Sequence, residues 1–146
     1  MFDLPSVLPR AIAWANAQSK DILQRGQPLT AAGLKLARAV GVLRPEQIRV
    51  LTVAAIPAPE DSELRRIARE ENLIGPGTGG LTLGYGVFVV NGQGTARLLS
   101  HEFRHVHQYE QAGSIELFLP IYLKQVVEFG YDQAPYEIDA RAWERQ

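Results

Sequence analysis

Apolar positions recur at helical spacing over several stretches of the chain. From about Ser6 to Gln24 they fall at Val7, Leu8, Ala11, Ile12, Trp14, Ala15, Ile22 and Leu23, which predicts a first helix. Arg25-Gly26-Gln27-Pro28 breaks it. Thr30 is placed as the N-cap of a second helix, with Leu34, Ala37 and Val40 on one face and Gly41 at its end. Ile48 to Ile56 is rich in β-branched residues and predicts a buried strand, closed by Pro57 and Pro59. Asp61 or Ser62 then caps a short charged helix, Glu63 to Glu71, which buries Leu64, Ile67 and Ala68 beneath a solvated face. Leu81 to Val90 predicts a second strand, with Gly84 and Gly86 on one face and a turn at Asn91-Gly92.

Three helices follow. One spans about Thr95 to Gln111 and stops at Gly113. The next runs from Ser114 to Phe129, with a kink or short break expected at Pro120. The last starts near Pro135, which suits a first helical position, and continues to the C-terminus. The sum is an α+β fold: a mostly helical single domain with a small, two- to three-stranded sheet. Within residues 1–146, an N-terminal part of helices and one strand (1–80) precedes a strand and a three-helix core (81–146).

Composition narrows the chemistry. The chain has 146 residues and no cysteine, which excludes disulfides, thiolate metal sites and thiol nucleophiles. A formal net charge of -1 gives no electrostatic footprint for nucleic acid. No apolar run is long enough for a membrane span. Met1-Phe2-Asp3-Leu4-Pro5 carries an acid and a proline where an export signal needs basic residues, so a cytoplasmic location is expected. The Gly75–Gly80 run lacks a Gly-Lys-Ser/Thr ending and leads into a strand, so it reads as a flexible connection rather than a phosphate cradle.

The histidines carry the one sharp signal. All three, His101, His105 and His107, lie within seven residues, and His101-Glu102-Phe103-Arg104-His105 is H-E-x-x-H. On a helix each residue turns about 100°, so residues four apart share a face and two imidazoles can reach one ion. Neutral imidazole is a common zinc ligand. Glu102 lies about 100° round from His101, beside the ion rather than on it, where it can take a proton from water. His107 points away and reads as a surface histidine. Gln108 returns to the His101 face, as a surface amide or as support for the site, and Tyr109 returns to the Glu102 face as a half-buried packing residue. A catalytic zinc needs a third ligand. With no cysteine and no other histidine, it comes from Asp or Glu or a weaker neutral donor; the downstream acids are Glu110, Glu116, Glu128, Asp132, Glu137, Asp139 and Glu144.

H-E-x-x-H on one helix with a glutamate on a later helix resembles the gluzincin branch of zinc metallopeptidases. The chain looks most like compact bacterial zincin-like proteins, over about Leu81 to Arg145. In that branch the glutamate commonly stands in an E-x-x-A setting. Glu137-Ile138-Asp139-Ala140 matches it, 32 residues after His105, while Arg141 stands where the pattern has an acid. The resemblance implies zinc held by His101, His105 and Glu137, with Asp139 as the alternative third ligand, and Glu102 as the catalytic base. It implies hydrolysis of a peptide or protein substrate. It also implies a strand, Leu81 to Val90, along which an extended substrate lies, Gly84 and Gly86 letting its backbone approach. Tyr131 and Tyr136 are the nearest groups that could support an oxyanion. The alternatives are a non-catalytic metal-binding or interaction domain that keeps the motif, and a metal-free domain whose histidines are bonded to carboxylates or carbonyls.

Overall fold

The computed structural model describes residues 2–146. Its elements run α1 (Leu4–Arg25), β1 (Gln27–Pro28), α2 (Ala31–Ala39), β2 (Arg49–Val53), α3 (Ser62–Glu70), β3 (Gly80–Leu83), β4 (Gly86–Val90), α4 (Ala96–Ala112), α5 (Ile115–Phe129) and α6 (Pro135–Ala142). The α+β class and the predominance of helix are as the sequence predicts. Four helices begin where a short polar side chain caps the first turn. Thr30, Asp61, Thr95 and Ser114 each accept a hydrogen bond from a main-chain N–H two or three residues on.

The sheet is larger than expected. It has four strands in the order β1-β2-β4-β3, with β2 parallel to β4 and the other pairs antiparallel. One added strand is the dipeptide Gln27–Pro28, a chain break by sequence that pairs at the sheet edge, where a proline is tolerated. The other comes from dividing Leu81–Val90. Leu83 pairs with Gly86, so Gly84 and Tyr85 form a two-residue turn, and Gly84 takes a positive φ of 68°. Alternating apolar residues on both sides of that glycine had made one long strand of a hairpin.

Strand β4 is the buried centre. Val87 and Val89 pack with Ala37 of α2, with Val40 just after it, and with Phe103 and Val106 of α4. Phe88, on the opposite face, packs with Ala15 and Ile22 of α1 and Phe118 of α5. A strand covered on both faces is apolar at successive positions, which is why its sequence does not alternate. Gly86 is smooth because α1 needs it so: a Cβ there would sit 3.0 Å from Ile22 Cβ. The two glycines therefore serve a turn and a helix contact, and neither is a place for a substrate backbone.

The last three helices follow the predicted order. Helix α5 continues through Pro120 without a break, although a proline at that position forfeits the bond to Glu116 O and crowds that carbonyl. Helix α6 ends at Ala142 instead of reaching the C-terminus. The residues after it fold back along α4, where the main-chain N–H of Arg145 donates to Ser100 Oγ at 2.8 Å. Among the described residues, no helix is long and apolar enough to cross a membrane.

Candidate metal centre

The motif lies in the middle of α4. Its apolar residues Phe103 and Val106 anchor the helix in the core, and that orientation sets His101, Glu102 and His105 against β3, α5 and α6. Glu137 stands in the first turn of α6, begun by Pro135. Its carboxylate meets both histidines: Oε1 is 3.1 Å from His101 Nε2 and Oε2 is 3.2 Å from His105 Nε2. One ligand atom from each residue falls within 4.8 Å of the others, and Glu137 is only 2% exposed. Two ligands of a tetrahedral ion bound at about 2.0–2.1 Å lie roughly 3.3 Å apart. Small shifts of the side chains would bring one oxygen and both nitrogens to that spacing, so this buried group could hold a metal ion.

The far sides of both imidazoles are fixed. Gln108 donates its Nε2 hydrogens to Tyr136 O and Asp139 Oδ2, each at 2.9 Å, which turns its Oε1 toward His105 Nδ1 at 2.7 Å. An amide oxygen facing Nδ1 requires the proton on Nδ1. His101 Nδ1 lies 2.9 Å from Glu144 Oε2, with the same consequence. Both Nε2 atoms are left for a ligand. Hydrogen-bonded imidazoles of this kind are the usual outer support of a metal site.

The sequence prediction and the structure differ in these outer residues. Asp139 is not a third ligand; it receives Arg104 Nε at 2.8 Å as well as Gln108. Arg104 in turn donates to Val40 O and lies 4.2 Å above the Trp143 ring. Gln108 is buried support for His105, not a surface amide. Glu144, steadied by Arg97, supplies the carboxylate that Arg141 does not. Its signal was a second acid seven residues beyond Glu137. Tyr122, which donates to Glu137 Oε2 at 2.7 Å, was not legible, because only the packing of α5 on α6 brings it there. His107 does point away, to Gly41 O. Tyr109 is more buried than predicted and donates to Thr82 O at 3.2 Å. Tyr131 borders the site beside Glu102 and Glu137, whereas Tyr136 packs on Phe118 outside it.

Glu102 stands apart from the three-residue group. It is 6% exposed, and Thr82 donates to its Oε1 at 2.8 Å. The opposite side of its carboxyl lies against Gly80, where a Cβ would come within 3.2 Å of Oε2. A side chain at the last glycine of the Gly75–Gly80 run would therefore crowd Glu102, as one at Gly79 would crowd Leu98. Burial raises the Glu102 pKa, against the lowering effect of both histidines. Burial also opposes the charging of His105, but Glu137 and Glu102 outweigh it and raise its pKa to about 9. His101 is raised by the same carboxylates. Glu137, despite burial, is held well below the usual carboxylate range by the histidines and Tyr122. Without an ion the group is therefore an ion pair, and a metal would take the place of protons on the two rings.

Comparison of the chain with protein-family models, curated proteins and solved structures returns no match.

Proposed function

We propose that the protein is a zinc-dependent hydrolase that cleaves a peptide bond, with a site of the gluzincin kind. One observation carries this reading. Two histidines, each with Nδ1 engaged by an oxygen, direct Nε2 at one buried glutamate, while a second buried glutamate stands beside them outside the ligand set. Neutral nitrogen and carboxylate oxygen without thiolate suit zinc. Among the described residues three such groups converge, rather than four, which supports a site with an open position over a closed structural one.

Zinc supplies a Lewis acid that polarises a carbonyl and brings the pKa of water toward neutrality. The protein supplies the proton path. Glu102, held by Thr82 and raised in pKa by burial, accepts a proton from water and passes it to the leaving nitrogen. Gln108 and Glu144 hold the imidazoles in the tautomer that leaves Nε2 free. Strand β3 is the sheet edge nearest Glu102, and its outer side pairs with no other strand, which suits an extended substrate. Tyr109 already occupies the carbonyl of Thr82, so Gly80 is the position at which such pairing fits.

The test is Glu102→Gln. It keeps the shape and the zinc content and lowers peptide hydrolysis by roughly 10²–10⁴-fold, the usual weight of a general base. Hydrolysis by the variant at the wild-type rate, measured on zinc-loaded protein, would overturn the mechanism.

A further inference from the structure

Two hollows meet at the histidine–glutamate group, and they differ in chemistry. One is a pocket of about 130 Å³, partly open to solvent, between α1, α3, β3 and α5, with Trp14, Leu64, Ala68, Leu81 and Phe118 among its walls. His105, Glu102 and Glu137 close its inner end. The other, about 530 Å³, is an open trough along the Gly75–Gly80 run, bordered by Asn72, Gln93, Arg97, His101 and Glu144. Gly80, Glu102 and Tyr131 line both, so the base stands on the boundary.

Away from its inner end the pocket is lined by apolar side chains, which give water few partners. Cavities of about 150 Å³ lined by aliphatic and aromatic side chains stay dry and take up benzene. Two of the walls come from α1 and α3, elements that carry no motif, and with β3 and α5 they bring the pocket to the inner end of the site. We infer that this cavity binds one six-carbon apolar group of the substrate, a phenyl ring or a short branched alkyl chain. The polar remainder of the substrate runs out along the glycine trough past His101. The reacting carbonyl then lies between them, at Glu102. The substrate class is an amide with a bulky apolar residue on the His105 side and an extended, polar chain on the other. The link to catalysis rests on the zinc hydrolase reading; the cavity as an apolar binding site does not.

The experiment separates the two. Toluene, which has no metal-binding group, is titrated into the metal-free full chain, followed by the fluorescence of Trp14 and Trp143 and by methyl NMR shifts. Acetate and 3-phenylpropionate are then compared on the zinc-loaded chain. The expected result is saturable toluene binding without metal, and 3-phenylpropionate binding roughly ten- to a hundredfold tighter than acetate, the weight of one buried ring. Ala68→Phe fills the cavity and should abolish both effects while leaving zinc per chain unchanged. Ala11→Leu, a smaller filling at the α1 wall, should weaken both if the larger change fails to fold. Absence of toluene binding, or equal affinity for acetate and 3-phenylpropionate, would overturn the inference. A chain that takes no zinc but binds toluene, blocked by filling, would sustain the cavity and sink the hydrolase.

Discussion

Two glutamates organise polar clusters on opposite sides of α4, and they are built to different ends. Glu110 receives the main-chain N–H groups of Leu43 and Arg44 at 2.9 and 3.0 Å and the Tyr85 hydroxyl at 2.7 Å. Every partner is a fixed donor. Burial and the nearby carboxylate push the Tyr85 pKa up to about 12, so it stays a donor. The cluster is complete and ties the segment after α2 to the hairpin turn. Glu137 is more deeply buried, and two of its partners are imidazole nitrogens that hold a proton only while no better cation is present. A carboxylate satisfied by backbone is a fastener; one satisfied by two titratable rings, each braced from behind, could serve as a ligand set. Burial alone does not distinguish them; the chemistry of the partners does.

The largest effect that sharpens the contrast is with pH. The His105 pKa is raised in the folded state, so its ion pair with Glu137 stabilises the metal-free fold fully below the unfolded value of about 6.5 and is lost as pH rises through about 9. Glu102, also raised, works in the same direction. Metal-free protein should therefore melt lower at pH 9.5 than at pH 6.5, by at most about 3 kcal/mol in stability. Zinc affinity should rise over the same interval, with proton release measurable by titration in buffers of different ionisation enthalpy. A melting temperature that rises from pH 6.5 to 9.5 would contradict the ion pair.

Next come the residues behind the rings. Gln108→Ala and Glu144→Ala should each weaken zinc about ten- to a hundredfold, read by competition with a chromogenic chelator. Glu144→Gln, which keeps an acceptor on His101 Nδ1, should recover part of the loss. The smallest effect on the metal is expected from Glu110→Ala. It removes three hydrogen bonds from the fastener and should cost about 1–3 kcal/mol of stability in urea melts. Zinc affinity should stay as in the wild type. A loss of zinc in that variant would show that the two clusters are coupled through α4.

Much of the centre was legible because a helix period needs no tertiary knowledge. His101 and His105 share a face by spacing alone, and the apolar residues Phe103 and Val106 say which way the helix turns. Glu137 was singled out among the downstream acids only by the resemblance to the gluzincin E-x-x-A setting, on a helix marked by Pro135. The residues that were not legible are those set by chain reversal. Glu144 reaches His101 because α6 ends at Ala142 and the tail folds back, where helical periodicity would have carried it onward. Gly84 and Gly86 looked alike as strand glycines, yet one turns the chain and the other makes room for α1. The Gly75–Gly80 run showed its use only once Glu102 was seen against Gly80.

The central claim is that Glu137 and the two histidines form a metal site. The most direct measurement is zinc per chain by elemental analysis, on protein purified without an affinity tag of histidines, beside Glu137→Gln and Glu110→Ala. One zinc per chain, lost in Glu137→Gln and kept in Glu110→Ala, is the predicted result. No zinc in the wild type, and none taken up from added salt at pH 8, would contradict it.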